Sequence, residues 1–497
     1  MCYAEHVPTG KFDSRREKHM KKSNKRNVSL LLVLVMTLIL VLPVSASTSE
    51  KTLQVTTGIG ITLNGLTAKT TDVSGNTVDA FQYNGTTYVP VRSISEAMGK
   101  TVSWNSKTNS VEIGTEGNDA ANDAAYLKEY FGISPLSGTV SWSSFNAALT
   151  KIGATAATTA GTLTPASAAK ALVTAANMSE LAETYTASQA AAACKRYGTI
   201  SAADAPYVAC AINMGLIPTT VNFTAALDGD TASVLLMNAV QAAGKGRNYI
   251  GFSSDSDISS RLVSTWNSFT IFDDPTLTEL GVKIVTSGAT TGYNLKYDGN
   301  SARFLSDNTI QYGHSDITHA VQLMGLLNRA GLVARVQLEP KVSVYQYLLE
   351  WSDGKVPAST PTYQVKQVSN DLYLCYSVEY DLELEFSSKT DRAAFDQLVL
   401  DYAKKSDTNP NGEGMIYGAW WQPLYSTKDA MPSPNYTQIN DVVVRDGSYT
   451  IHPFATNEKL SAVKSEISSA APSLTCTPTK IWVNAAFYRY ITGSDHQ

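Results

Sequence analysis

A run of strict alternation, DLYLCYSVEYDLELEF (residues 371–386), constrains the fold more than any other part of the chain. Apolar side chains occupy every even-numbered position from Leu372 to Phe386, and the odd-numbered positions end in four carboxylates: Glu379, Asp381, Glu383 and Glu385. Because successive side chains of a β-strand point to opposite faces, the pattern predicts one long strand with a buried face. We expect the acidic face to be solvated. A Ca²⁺ site is the alternative, since calcium takes oxygen ligands.

The N-terminal region has the features of an export signal. An apolar run at residues 28–44 follows the basic stretch KKSNKR and precedes the small residues SAS. This order predicts a secretory signal at residues 1–46, with cleavage after Ala46 and a start at Met20 as an alternative. An uncleaved anchor helix is the other interpretation, but the run is near the short limit for spanning a bilayer. We therefore expect an exported protein, extracellular or associated with the cell wall, with no transmembrane segment after cleavage.

Composition limits the kinds of partner that the rest of the chain is expected to bind. Charged residues make up 17% of the sequence and the net charge is −5, so no basic patch for nucleic acid is expected. We expect no cofactor and no metal. The cysteines after the signal are too few for a disulfide scaffold. Cys194 and Cys210 are close enough in sequence to bridge two neighbouring helices, and buried free thiols are the alternative.

The sequence pattern of residues 47–114 predicts a small β-rich module. Asn84-Gly85 lies between two β-rich runs, a strong hairpin signal, and a second hairpin is predicted around Trp104. The stretch NGTTYVPVRSISEAMGKTVSWNSKTNSVEI resembles the copper amine oxidase N-terminal domain found in exported proteins of Gram-positive bacteria. The oxidase chemistry needs copper held by histidines and a tyrosine-derived quinone. The module has no histidine, and SPNYTQ around Tyr436 departs from the quinone motif, so we expect an accessory module.

A polar linker is predicted at residues 115–124, followed by an Ala-rich helical region at residues 125–246. Three of its segments resemble one another, each opening on a helix-capping residue followed by apolar residues at helical spacing: residues 141–153, 163–178 and 227–244. The pattern resembles degenerate S-layer homology repeats, best over residues 204–244, which implies binding of cell-wall polysaccharide. The family carries Thr-Arg-Ala-Glu at the second cap, whereas this chain has DTAS and TPAS, so a charged donor for an anionic glycan is absent.

The remaining residues, 247–497, predict a larger α+β domain. Within LLNRAGLVAR, Gly331 is expected to end a helix before a buried strand. With Ala320, Ala334 and Arg335 in place, this segment resembles the transglutaminase-like core. That resemblance implies a cysteine nucleophile at the start of the helix, where this chain has Asp316 or Ser315.

The partner histidine that this family requires is absent from residues 336–386. His314 and His319 are five residues apart, which argues against a zinc pair on one helical face. We therefore assign no catalytic residue.

Aromatic residues supply the candidate ligand contacts. Trp420, Trp421 and Tyr425 lie within six residues, and an exposed indole ring could stack on a sugar; core packing is the alternative. The expected function is a non-enzymatic cell-envelope protein that associates with wall polysaccharide or organises the wall surface.

Two alternatives remain for the C-terminal half. One is a wall glycan- or peptide-modifying enzyme, whose reactive groups would be Ser315 or Asp316 with His452, or the pair Asp273 and Asp274. The other is a ligand-sensing domain with an aromatic pocket around Trp420, Trp421 or Trp482.

Overall fold

A computed structural model describes residues 52–63, 66–67, 70–72, 76–97, 101–105, 110–114, 120–157, 161–402, 424–431 and 436–492. It confirms a multidomain α+β architecture with a small β-rich module, a helical region and a larger α+β domain. The predicted signal at residues 1–46 lies outside the described residues. Within the described ranges, no helix has both the length and the apolar character needed to cross a membrane.

The β-rich module contains both predicted hairpins. Its described elements are β1 (Thr56–Ile59), β2 (Thr62–Leu63), β3 (Leu66–Thr67), β4 (Ala80–Tyr83), β5 (Thr86–Tyr88), α1 (Val91–Ala97), β6 (Thr101–Asn105) and β7 (Ser110–Gly114). Strands pair in the order β1-β4-β5, and β6 pairs with β7. Asn84 and Gly85 take φ of 48° and 77° at the turn between β4 and β5, as the Asn-Gly pair predicts.

The helical region begins earlier than expected. Its helices are α2 (Ala120–Phe131), α3 (Trp142–Lys151), α4 (Pro165–Ala175), α5 (Ser179–Glu183), α6 (Ala187–Cys194), α7 (Ala205–Asn213) and α8 (Gly229–Ala242). Residues 120–124 of the predicted linker are therefore helical, and residues 115–119 lie outside the described residues. Fully buried alanines such as Ala168 and Ala232 let these helices approach closely.

The three similar segments meet at their helix starts. The backbone N–H of Val140 donates to the carbonyl of Leu227 at 2.8 Å, and the N–H of Leu227 donates to the carbonyl of Leu163 at 2.9 Å. Each of these buried residues precedes a capping residue whose side chain accepts a backbone hydrogen bond: Ser141, Thr164 and Asp228. Residues that correspond in sequence are thus neighbours in space.

Cys194 and Cys210 are buried and free, so the proposed disulfide is not formed in the structure. The thiol of Cys194 instead lies 3.5 Å from the carbonyl oxygen of Ala205. Burial raises the pKa of both thiols, which disfavours the reactive thiolate. The alternative of buried free thiols fits this arrangement.

The C-terminal domain is built on a closed barrel. Its strands are β8 (Gly251–Phe252), β9 (Gly292–Tyr297), β10 (Thr309–His314), β11 (Ala334–Tyr347), β12 (Tyr363–Ser369), β13 (Leu372–Phe386), β14 (Leu424–Thr427), β15 (Tyr436–Asp446), β16 (Tyr449–His452), β17 (Phe454–Ala455) and β18 (Cys476–Asn484). Eight of them close antiparallel in the order β13-β10-β14-β18-β15-β16-β9-β11 and back to β13. The strands β8, β12 and β17 are attached to β11, β13 and β15.

Helices cover the outside of this barrel and supply its hydrophobic cores. They are α9 (Ile258–Trp266), α10 (Pro275–Thr286), α11 (Ile317–Ala330), α12 (Lys389–Tyr402) and α13 (Leu460–Ala470). The last helix, α14 (Ala485–Ile491), instead packs through Phe487 against Ile481 and Val483 on the inner face of the sheet. One core packs α9, α11 and α12 against outward-facing residues such as Leu382 and Leu384. A second packs α10 and α13 against residues such as Val342 and Val442. The outer face of the barrel is therefore apolar.

The predicted helix and strand of the LLNRAGLVAR segment are confirmed. Asp316 caps α11 by accepting from the N–H of Thr318 at 2.8 Å, and Gly331 ends the helix with φ of 69°. The strand β11 begins three residues later, at Ala334. Asp316, one of the two positions at which the transglutaminase-like resemblance would place a cysteine, is therefore a helix cap.

Candidate functional site

The acidic face of β13 lines the barrel interior. Asp381 has no exposed surface, and Glu385 is 2% exposed. The apolar positions of the same strand, such as Leu382, face the helices outside. The expectation that the acidic face is solvated is therefore wrong. The strand alternates as predicted, but its polar side faces the lumen.

Two lysines on neighbouring strands neutralise Asp381. The ammonium groups of Lys296 and Lys341 lie 2.5 and 2.7 Å from its carboxylate oxygens. Burial alone would raise the pKa of Asp381, but the two ammonium groups outweigh it and hold that pKa below its usual value. Burial likewise opposes the charge on Lys296, but Asp381 and Glu339 keep its pKa above the usual value. This ion network spans three consecutive strands of the barrel wall: β9, β11 and β13.

Two further carboxylates near Lys296 have less positive charge close to them. Glu339 accepts from the N–H of Ala302 at 2.5 Å, and its other oxygen lies 3.7 Å from the Lys296 ammonium group. Burial raises the pKa of both Glu339 and Glu383. The neighbouring Glu339 raises the pKa of Glu383 further, to well above its usual value. Glu383 therefore favours the protonated form far more than an exposed glutamate does.

Two cavities reach into the lumen in the part of the chain that the structure describes. The first, of about 490 Å³, is lined by Lys296, Glu339 and Glu383. The second, of about 360 Å³, is lined by Lys341, Glu379 and Asp381. Gln311 and Phe454 line both cavities, so the two are neighbours within one barrel.

Each cavity also contacts an element outside the strands. Glu129 and Tyr130 of α2 line the first cavity, and Phe487 and Ile491 of α14 line the second. A Cβ atom at Gly313 would lie 2.9 Å from the Lys341 ammonium group. The glycine therefore leaves room for the ion pair with Asp381.

A His-Asp pair lies in the first cavity. His452 Nδ1 is 3.0 Å from Asp441 Oδ2, and His452 Nε2 is 2.9 Å from the Thr450 hydroxyl. All three residues line this cavity. Thr450 and His452 are two apart on β16 and so share the lumen face.

A second polar cluster surrounds the start of α11. The rings of His314 and His319 lie 3.9 Å apart, and the Tyr312 hydroxyl is 2.9 Å from His319 Nδ1. Burial lowers the pKa of His314 to about 3, with His319 contributing, and burial also lowers the pKa of His319. His314 Nδ1 accepts from the N–H of Asp316 at 2.8 Å. The two histidines are therefore neutral at physiological pH.

The structure places the sequence-predicted ligand residues differently from the expectation. Trp420 and Trp421 lie outside the described residues. Tyr425 is 3% exposed and stacks on Tyr312 with ring centroids 5.1 Å apart, so its ring belongs to the core. Trp482 is partly buried and packs against the same core.

The residues of the enzyme alternative are dispersed. Ser315 lines the second cavity, whereas His452 lines the first. Asp274 caps α10 by accepting from the N–H of Leu277, and Asp273 accepts from the hydroxyl of Thr278. These two carboxylates have structural roles.

Sequence reasoning missed the lysines and Glu339. The signal that could have found them is a second polar alternation, in which Glu339, Lys341 and Ser343 follow one another at every other position of β11. A shorter polar alternation places Asn294 and Lys296 two positions apart on β9. Each reads as a solvated face when the strand is considered alone.

Comparisons with known proteins bear on the N-terminal module. The family model of the copper amine oxidase N-terminal domain matches residues 44–122, well under half of the chain. No curated protein and no solved structure matches. Residues 44–122 contain neither histidine nor cysteine, so they do not fit a copper centre. Among the described residues, no group of three or more His, Cys, Asp or Glu side chains is placed to hold a metal ion.

Proposed function

We propose that this chain is an exported, non-enzymatic binding protein of the cell envelope. Its barrel lumen holds a small polar ligand, and its helical region associates with cell-wall polysaccharide. The charged lumen is the single observation that carries the first part. The resemblance of the three helical segments to S-layer homology repeats motivates the second part.

A charged lumen is costly unless it serves a ligand. The interior of an eight-stranded barrel is just wide enough to be filled by side chains or to hold one small ligand. Filling it with apolar side chains would avoid the desolvation of ions such as Asp381 and Lys341, which is large. Open cavities of about 490 and 360 Å³ remain beside these ions, within the usual range for small-molecule sites.

Gln311 provides the test because it lines both cavities. The protein (residues 47–497) would be incubated with soluble fragments of enzymatically digested Gram-positive cell wall. Fragments retained after ultrafiltration would be identified by mass spectrometry. Gln311→Trp should weaken retention, because the larger side chain would obstruct both cavities where they adjoin. Gln367→Trp, on the exposed face of β12, is the matched control and should retain fragments as wild type does. Equal retention by all three proteins would refute a lumen site.

The association with the wall has its own test. Co-sedimentation of the protein with purified walls should be lost when the secondary polysaccharide is chemically removed. The neighbouring caps of the three helical segments support this part, because corresponding loops on one side of a repeat array commonly form its binding face. Equal sedimentation with stripped and intact walls would contradict it.

A second candidate function is acyl transfer at Thr450. The hydroxyl lies 2.9 Å from His452 Nε2, and Asp441 lies on the other side of the imidazole, the arrangement of an activated nucleophile. Thr450 Oγ1 would attack an ester carbonyl, its proton would pass through His452 to the leaving alcohol, and water would then hydrolyse the acyl-threonine.

A fluorophosphonate probe tests this candidate. Labelling of wild type that is lost in Thr450→Ala and kept in Thr450→Ser would support it. No labelling of the wild-type protein would reject it.

A further inference from the structure

Glu383 is a buried carboxylate without a partner. Its side chain lines the first cavity, and the residue is only 9% exposed. Its backbone pairs with β10 and β11, but no hydrogen bond or ion pair joins its carboxylate to any group in the described part of the chain. Its neighbours on β13 differ: Asp381 contacts two lysines, and Glu385 contacts Arg247 and Arg335. A lone buried carboxyl group is costly, and such a group facing a cavity points to an absent ligand.

The charge balance of the lumen indicates the sign of that ligand. Four carboxylates lie near only two ammonium groups, those of Lys296 and Lys341. The carboxylates are Glu339, Glu379, Asp381 and Glu383. Both lysines lie closest to Asp381, at 2.5 and 2.7 Å. Three further cations line the first cavity: Lys428, Arg303 and Arg445. Arg445 is paired with Asp298 and Arg303 donates to the carbonyl of Gly244, which leaves the exposed Lys428 as the one that acts electrostatically on Glu383. The centre of the lumen therefore has room for one more positive charge.

We propose that the first cavity binds a ligand whose protonated amine lies between Glu383 and Glu339 and whose body carries hydroxyl groups, the chemistry of an amino sugar with a free amine. This inference rests on the proposed lumen site and specifies its ligand class. Both carboxylates would then accept charge-assisted hydrogen bonds from the ammonium group. The lining of the cavity suits the rest of the ligand, because Gln311, Ser426 and Thr450 offer neutral donors and acceptors.

Other occupants fit less well. An anionic group placed between Glu339 and Glu383 would be repelled by both carboxylates. A metal ion would need converging donors, and in the described residues no group of three His, Cys, Asp or Glu side chains is placed to hold one. An ammonium group needs only a few acceptors, since it carries three donors in a compact volume.

The test compares two disaccharides that differ only at nitrogen. The probes are the unacetylated disaccharide of glucosamine and its N,N′-diacetyl form, titrated calorimetrically into the protein (residues 47–497). The unacetylated sugar should bind at least about tenfold more tightly, since a charge-assisted pair is worth about 1.5–3 kcal/mol. Glu383→Gln should remove about tenfold of that affinity. Glu466→Gln, exposed on α13, is the matched control and should change nothing.

The outcomes separate this inference from the proposed function. Equal binding of the two sugars, or unacetylated-sugar affinity unchanged by Glu383→Gln, would overturn the amine site. Binding of neither sugar would also overturn it. Wall fragments retained in a Gln311-dependent way would still support a lumen site in those cases. If Gln311→Trp retained wall fragments as well as the wild-type protein does, the proposed lumen site itself would be refuted. A thermal unfolding curve would be measured for Glu383→Gln to check that the variant folds.

Discussion

The guanidinium group of Arg247 lies 2.8 Å from the carboxylate of Glu385, and their side chains are only 5% and 1% exposed. Arg247 follows the last helix of the helical region, while Glu385 is near the end of the longest barrel strand. The same guanidinium group lies 3.7 Å from Asp123 and stacks over the Tyr126 ring at 4.3 Å. One buried cation therefore joins α2 to the barrel.

Arg247→Ala should destabilise this junction. Removing one partner of a buried ion pair costs about 3–5 kcal/mol, and we expect the lower end of that range because Glu385 would keep Arg335 as its second partner. The free energy of unfolding in urea, followed by tryptophan fluorescence, should fall by that amount. The control Arg196→Ala removes an exposed arginine over Tyr197 and should cost less than about 1 kcal/mol. Equal costs for the two variants would contradict a structural role for the pair.

Lys341→Met should weaken the barrel through Asp381. The variant keeps the length of the side chain but leaves Asp381 with Lys296 alone, and we expect a loss of about 3 kcal/mol at pH 7. Because the folded-state pKa of Asp381 is depressed, its stabilising effect is present above its ordinary pKa and is lost as pH falls toward the folded value. The difference in thermal midpoint should therefore shrink in acid. Lys355→Met is the exposed control, and a comparable loss there would refute the assignment.

Glu383→Gln should stabilise the ligand-free protein at neutral pH. The folded-state pKa of Glu383 is raised, so folding favours its protonated form, and stability decreases as pH rises from the unfolded pKa through the folded one. A neutral amide of the same shape avoids that loss. Urea unfolding should show the variant to be more stable than wild type at pH 8, and the difference should vanish near pH 4. A variant less stable than wild type at pH 8 would show that Glu383 has a partner.

His314→Asn should reduce the acid sensitivity of the fold. Burial lowers the pKa of His314 to about 3, so the neutral ring is favoured on folding. The stabilisation is complete above the unfolded pKa of about 6.5 and is lost as pH falls toward 3. The wild-type thermal midpoint should therefore fall between pH 6.5 and 4 by more than that of the variant. Parallel pH profiles would show that the ring titrates freely in the folded protein.

Local structure followed from local pattern. The alternation in residues 371–386 predicted β13, Gly331 predicted the end of α11, and Asn84-Gly85 predicted a hairpin. These signals depend on backbone geometry within a few residues, so the sequence carries them directly.

The lumen could not be predicted in the same way. A polar strand face reads the same whether it faces water or the inside of a barrel, and closure depends on pairings between distant strands such as β11 and β9. The proximity of the two histidine rings could not be predicted from the sequence for a related reason. His314 and His319 are off a common helical face, but His314 ends β10 and its ring reaches back over α11.

The position of β18 in the barrel determines when the barrel can be completed. It follows the other barrel strands along the chain, yet it pairs with β14 on one side and β15 on the other. Until residue 484 is available, those two strands present unpaired edges, and unpaired edges invite association with other chains. Pairing of such distant segments is also slow. A newly synthesised chain thus passes through a stage in which the sheet is open and two strand edges are exposed. The length of that stage, and with it the risk of aggregation, depends on how soon β18 pairs.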